Sequence, residues 1–449
     1  MTGVTLSRWT MSYFAAALAA LVIALGLMAA GYGFPTAPVR GPETLVVVHL
    51  VAIGWLSLLM CGALFQFVPV LVARPIYSNT LPLPTLLCLL AGLAALLCGF
   101  LKLTGHPAPD LPFFPAAAGL LATGFALALW NLGRTLWLAG PLPLPARFVV
   151  VGLFSVGATV TLGAILALVL GNVATHPHLL EVAANGLPIH IAAGLGGWLT
   201  FTAIGVSYRL LAMFMLAPEL DRASSRAAFY LGTAALALGI VGGLAAICLG
   251  GSVTAVLLAA SGLGAAALIT YGRDIVTLYR ARKRRIIELN SRMAIVALGS
   301  LAAAVVLMVV LLALGRFTDH AGAVIFLVGF GWLSGLGLAK LYKIVAFLTW
   351  LECYGPVLGK APTPRVQDLV VETRARTWFV LYFAAVWSGT VLLLIDAPSL
   401  FRVAAAAMLV ATCGIIAELV RTRRLADVKT AIRFPSGARR PQLLVSLAR

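Results

Sequence analysis

The residues of this chain best suited to chemistry are its six histidines: His49, His106, His176, His178, His190 and His320. A neutral imidazole offers a lone pair to transition metals and exchanges its proton near neutral pH. His49 opens the stretch HLVAIGWLSLLMCGALFQFVPVL, His190 sits in PIHIAAGLGGWL, and His320 precedes AGAVIFLVGFGWL, so each leads a long apolar run. A titratable ring in such a run is costly to bury and usually functional. His176 and His178 lie in VATHPHLLE. With Glu181 they form a group of imidazoles and a carboxylate of the kind that takes copper or zinc, although Pro177 alone accounts for a turn there.

The elements that position these rings are membrane helices. Hydrophobic residues make up 62% of the 449, charged residues 10%, and mean hydropathy is +1.05. Apolar runs of roughly 20 residues, the length that a bilayer core of about 30 Å demands of a helix, recur from end to end. They predict an all-α polytopic membrane protein with twelve spans: 11–33, 44–73, 82–103, 112–139, 147–171, 181–216, 226–248, 252–275, 293–315, 320–350, 375–396 and 399–422. The first span follows Arg8 and ends in small residues, as a signal peptide does, but with eleven spans behind it a retained helix is expected. The six cysteines show no CxxC or paired spacing, which points to neither a disulfide framework nor a thiolate metal site.

The net charge of +18 is concentrated at chain segments rather than spread over a face, which argues against nucleic acid. GRDIVTLYRARKRRIIELNSR holds seven basic residues, and the stretch from Arg421 to Arg449 holds eight. Both read as cytoplasmic segments under the positive-inside bias, adjacent to lipid headgroups, with 425–449 a basic tail. That orientation puts both termini in the cytoplasm of a bacterial-type inner membrane. It also places His106, His176 and His178 in outer loops and His49, His190 and His320 in the outer portions of spans two, six and ten.

The opening stretch recurs. GWLSLLMCGALFQFVPVL from Gly54 aligns with GWLTFTAIGVSYRLLAMF from Gly197 and GWLSGLGLAKLYKIVAFL from Gly331, at intervals of 143 and 134 residues. Each interval is four membrane helices long, so the chain divides into three similar quartets, about 1–145, 146–280 and 281–424. The register aligns Trp55, Trp198 and Trp332; Ser57, Thr200 and Ser334; Phe65, Tyr208 and Tyr342; and Gln66, Arg209 and Lys343. The last two sets, near the inner end, are expected to be interfacial anchors.

Twelve helices in three quartets, with a histidine in helix two ahead of a glycine-rich run ending at Pro69, resemble subunit I of the haem-copper oxidase superfamily. The stretch from His49 with its GWL, GALF and FVP looks most like the nitric oxide reductase and cbb3-type branch. The resemblance covers the topology of nearly the whole chain, but in sequence only helices two, six and ten. It implies a low-spin haem near the outer face, with His49 one axial ligand and a helix-ten histidine the other. The copper-site pattern is missing. Helix six has no carboxylate after PIHIAAGLGGW, 226–248 has no histidine, and helix ten has only His320. One low-spin haem b without a haem-copper centre is therefore expected, and oxygen or nitric oxide reduction by the family mechanism is not.

Counting back from the aligned tryptophans, His49 is six residues away, His190 eight and His320 twelve. At about 100° per residue, His190 and His320 fall about 40° apart in the shared frame, with His49 about 160° and 120° from them. His49 can then face either of the others across a groove between helices. Family position favours His320 as its partner, and depth in the helix favours His190. Asp319 and Arg316 beside His320 are candidates for haem propionate contacts.

The leading function is thus a haem b-binding membrane protein in electron transfer, redox or gas sensing, or protection against nitric oxide. It would have the lipid bilayer as its medium and a redox protein or other membrane subunits as partners. The alternatives are a metal or haem transporter that captures its cargo on the outer histidines, against which stands the scarcity of acidic residues within spans, and a non-catalytic assembly subunit.

Overall fold

The computed structural model describes residues 8–105 and 109–446. Among these, twelve helices are long and apolar enough to cross a membrane, and they are numbered in chain order. They are α1 (Thr10–Ala30), α2 (Pro42–Leu71), α3 (Pro82–Leu103), α4 (Phe113–Trp137), α5 (Leu144–Leu170), α6 (Leu187–Met215), α7 (Ala223–Cys248), α8 (Val253–Arg280), α9 (Leu289–Ala313), α10 (Phe317–Val357), α11 (Glu372–Leu394) and α12 (Pro398–Arg423). No strand occurs among the described residues, as the apolar spans require of a chain that must satisfy its backbone within each crossing.

Three boundaries differ from expectation for physical reasons. The span expected at 181–216 is divided: Pro177–Asn185 forms a short helix of its own, and α6 starts at Leu187, where Gly186 and Pro188 interrupt the ladder. α8 runs on to Arg280, whose long side chain is exposed, and α10 runs on to Val357 because Cys353, Tyr354 and Val357 are buried against the segment that follows α12.

Contacts divide the chain into two units. The described residues of one fall within Ala63–Ile286, and those of the other within Thr5–Gly62 and Ile287–Arg449. The first holds α3 to α8. Its buried centre includes Phe148, which packs on Phe201 (4.6 Å between ring centroids), Phe229 (5.2 Å) and Tyr208 (5.7 Å). The second holds α1, α9 to α12 and most of α2. Trp55, Trp332, Tyr13, Tyr382 and Phe401 are wholly or almost wholly buried there. In this unit the expected basic tail is a packed segment. Leu425 and Val428 join Cys353, Tyr354, Val357 and Leu369 in one apolar cluster, and Tyr354 donates to the Arg433 carbonyl (2.9 Å). Cys353, expected just beyond a span, lies within α10 and is fully buried.

The repeated Gly-Trp-Leu tetrad has a backbone signature. Leu50–Ser57 in α2, Ala192–Phe201 in α6 and Leu327–Ser334 in α10 are π-helical, and each contains one tetrad. A fourth π segment, Leu238–Gly242, lies in α7. π turns are rare and frequent at functional sites. The tetrad hydroxyls follow the wider winding: Ser57 donates to the Ala52 carbonyl (2.8 Å) and Ser334 to that of Gly329 (2.7 Å), five residues back. In ordinary α-helical segments the step is four, as in Ser155 to Val151. The tetrad glycines admit a neighbour. A Cβ on Gly331 would stand 2.8 Å from Ser300 Cβ on α9, and one on Gly197 would overlap Ser155 on α5.

Candidate functional site

His49 is the last α-helical residue of α2 before its π segment, and it is half-buried. Its Nδ1 lies 2.8 Å from the Leu45 carbonyl, one turn back. A carbonyl only accepts, so Nδ1 carries the proton and the lone pair of the neutral ring is on Nε2. Metal-bound histidines are oriented this way, with the second nitrogen donating to a backbone or carboxylate oxygen.

His190 repeats the arrangement in the other unit. Its Nδ1 is 3.0 Å from the Thr159 carbonyl of α5, and its ring passes so close to Gly163 that a Cβ there would stand 3.1 Å from Cε1. Here, too, the lone pair is on Nε2.

His320 is held differently. It is 9% exposed, and its Nε2 is 3.2 Å from Nη2 of Arg316, whose Nε is 3.2 Å from Asp319 Oδ2. A guanidinium only donates, so Nε2 accepts and the neutral ring carries its proton on Nδ1, which is buried with no hydrogen-bond partner. The nearby turn is packed, with the ring of Phe34 occupying the space a Cβ on Gly322 would need. Farther along α10, nothing lies within 4 Å of where a Cβ on buried Gly329 would stand.

These placements amend the sequence reading. His320, not His190, is the more buried of the two. The frame angles assumed an even α-helical step, but π segments lie between each of the three histidines and its tryptophan, so those angles do not transfer. His49 and His320 share one unit, on helices whose π segments pack together, while His190 belongs to the other. His106 lies outside the described residues.

The copper or zinc reading of His176, His178 and Glu181 gains nothing from the geometry. All three side chains are exposed, and the two rings lie 5.3 Å apart. Among the described residues no group of three or more histidines, cysteines and acids is placed to hold a metal ion. Pro177 starts a helix, which leaves His176 ahead of its first turn while His178 and Glu181 ride within it.

Sequence reasoning missed a set of buried polar residues. Asn131, Asp274 and Glu418 are 0%, 3% and 5% exposed, and each stands five or six residues before the end of the fourth helix of its quartet. Their spacings, 143 and 144 residues, were legible. Each fastens the start of the third helix. Asn131 accepts from the Ser78 amide and donates to its carbonyl, both at 2.9 Å, just ahead of α3. Asp274 accepts from Ser224 in the first turn of α7 (2.5 Å) and from Tyr208 (2.8 Å). Glu418 accepts two bonds from Arg374 in the first turn of α11, at 2.5 and 2.7 Å. Beyond the spans, Asp427 takes Arg421 and the other side of Arg374, and these two guanidiniums, Arg421 foremost, hold its carboxyl below the usual carboxylate range.

Acids within the helices are therefore present but engaged, as Glu352 is with Arg423 (2.9 Å). Of the pairs expected to be interfacial anchors, the aromatic members are buried within the protein and two of the polar members are ion-paired. Phe65, Tyr208 and Tyr342 are 2%, 3% and 4% exposed, Arg209 pairs with Glu219, and Lys343 pairs with Glu288 (2.7 Å).

A cryo-EM structure of a heme-copper terminal oxidase dimer matches this architecture. The alignment covers 97% of this chain and 86% of the other, with a TM-score of 0.53 and 12% sequence identity. The likeness establishes an all-α, twelve-helix fold of the haem-copper oxidase subunit I type. No protein-family model matches the sequence, and no curated protein does.

Proposed function

We propose that this chain is a haem-binding membrane protein of the haem-copper oxidase superfamily that holds one low-spin haem b and has no haem-copper centre. The observation that carries the reading is the His49 ring, with Nδ1 tied to the Leu45 carbonyl and its lone pair on Nε2. The fold supports it, since the structure it matches is that of a heme-copper terminal oxidase. The donor set fits the group: imidazoles in an apolar bundle, with the lone pairs of His49 and His190 on Nε2.

His49 and His320 are the proposed axial residues. For His320 to bind through Nε2, Arg316 must release that nitrogen, and the guanidinium is then available to a haem propionate while Asp319 keeps it oriented. His190 has the ring orientation of His49 and is tested beside it. Haem b held by two imidazoles supplies a one-electron couple. Two imidazoles holding the iron would leave no place on it for a gas, which favours electron transfer over gas sensing or nitric oxide protection. The engaged states of Asp274, Glu352 and Glu418 likewise favour a cofactor-holding protein over a cation carrier.

The test is the pyridine haemochrome and Soret spectrum of detergent-purified protein, with metal analysis of the same preparation. Stoichiometric haem that is lost in His49→Ala and in His320→Ala, and retained in His190→Ala, is the expected result. Folded protein with no haem, or haem retained in His49→Ala, overturns it.

A further inference from the structure

A small polar cavity lies among α9, α10 and the segment leading into α11. It offers about 10 Å³ to the centre of a water-sized sphere, and its polar lining is Glu288, Asn290, Tyr342, Lys343, Gln367 and Glu372. Two of these groups have no partner in the protein: Asn290 Nδ2 and the Tyr342 hydroxyl, on side chains 1% and 4% exposed. Leaving a buried amide or hydroxyl unpaired costs about 1–3 kcal/mol, so two such groups on one cavity point to an occupant that bonds both.

Charge decides what that occupant is. Glu288 is paired with Lys343 (2.7 Å) and also accepts from Gln367 (3.3 Å). Glu372 is paired with Arg292 (3.1 Å) and accepts from the Leu289 amide (2.9 Å). Two carboxylates balance two cations, so an added ion of either sign would be a buried charge without a counter-charge. The occupant must be neutral, must accept from an amide, and must fit the space of one water.

The second quartet shows what is missing in the third. Tyr208, aligned with Tyr342, donates directly to Asp274 (2.8 Å). Glu418 stands where Asp274 stands, but Arg374 takes both of its oxygens, which leaves Tyr342 without the acid its counterpart uses. We propose that this cavity is a binding site for a single water molecule, which accepts from Asn290 Nδ2 and bonds the Tyr342 hydroxyl, joining α9 to α10.

Two measurements on the full chain in lipid nanodiscs test this. A cryo-EM map at a resolution that resolves ordered water should show a peak at about 2.7–3.2 Å from both atoms, and a cavity without density overturns the proposal. Thermal unfolding of Asn290→Leu, Tyr342→Phe and the double variant gives the second test, with Asn290→Ser replacing Asn290→Leu should that variant not fold. Either single change dismantles the site, so the double variant should lose no more than the worse single one. Fully additive losses overturn the proposal. Stabilisation that titrates with sodium, potassium or chloride and vanishes in Tyr342→Phe would put an ion there and overturn it too.

Discussion

The indole Nε1 of Trp55 donates to Ser334 Oγ at 2.8 Å, which joins the Gly-Trp-Leu-hydroxyl tetrad of the first quartet to that of the third. The same hydroxyl donates a hydrogen bond to the Gly329 carbonyl, so one serine closes a π turn of α10 and anchors a fully buried tryptophan of α2.

Ser334→Ala should therefore cost more than the loss of a small polar side chain. It leaves the Trp55 N–H buried and unpaired, a penalty of about 1–3 kcal/mol. A double-mutant cycle of Trp55→Phe with Ser334→Ala, followed by unfolding midpoint, should show coupling between the two. Additivity would mean that the bond does not contribute.

Gly331→Ala should destabilise by about 1–3 kcal/mol, because the new methyl stands 2.8 Å from Ser300 Cβ in a close-packed seam between α9 and α10. Ser300→Gly in the same chain should restore part of the loss. If the double variant unfolds no later than Gly331→Ala, the collision lies elsewhere.

Asp274 should tolerate an amide better than a methyl. Asn131 fastens the first quartet as a neutral amide, so Asp274→Asn can keep both hydroxyls engaged, its amide oxygen accepting from one of Tyr208 and Ser224 and its NH2 donating to the other. Asp274→Ala strands both hydroxyls, and bonds to a charged group are worth about 1.5–3 kcal/mol each. Equal losses in the two variants would contradict the proposed fastening.

Asp427 sets an acid limit. Its folded carboxyl is held low, first by Arg421 and then by Arg374, so it contributes stability above the unfolded value of about 3.9 and loses that contribution as pH falls through the lower folded value. The wild-type unfolding midpoint should drop below about pH 4, while Asp427→Asn should be less stable at pH 7 and flatter over the acid range. Parallel profiles would rule this out.

The bilayer made most of the fold readable, because it imposes a length and an apolar composition on every crossing. Twelve spans and the three tetrads stood in the sequence for that reason. The π winding did not, since Gly-rich segments also form ordinary helix. Asn131, Asp274 and Glu418 kept their register while changing chemical type, so matching by identity passed over them. Of the candidate site, the positions of His49, His190 and His320 were legible. Which ring nitrogen each one presents was not, because that depends on Leu45, Thr159 and Arg316.

The wide turn between His49 and Trp55 also fixes the azimuth of one relative to the other. The wide turn takes one residue more than ordinary winding to cover nearly the same rotation, so excising a single residue between the two would let the stretch relax to ordinary winding with the imidazole at almost its original azimuth. The indole would keep its seat against Ser334 and the ring its flank of α2, so what couples the ligand to its anchor is the rotation of the turn and not the number of residues that make it.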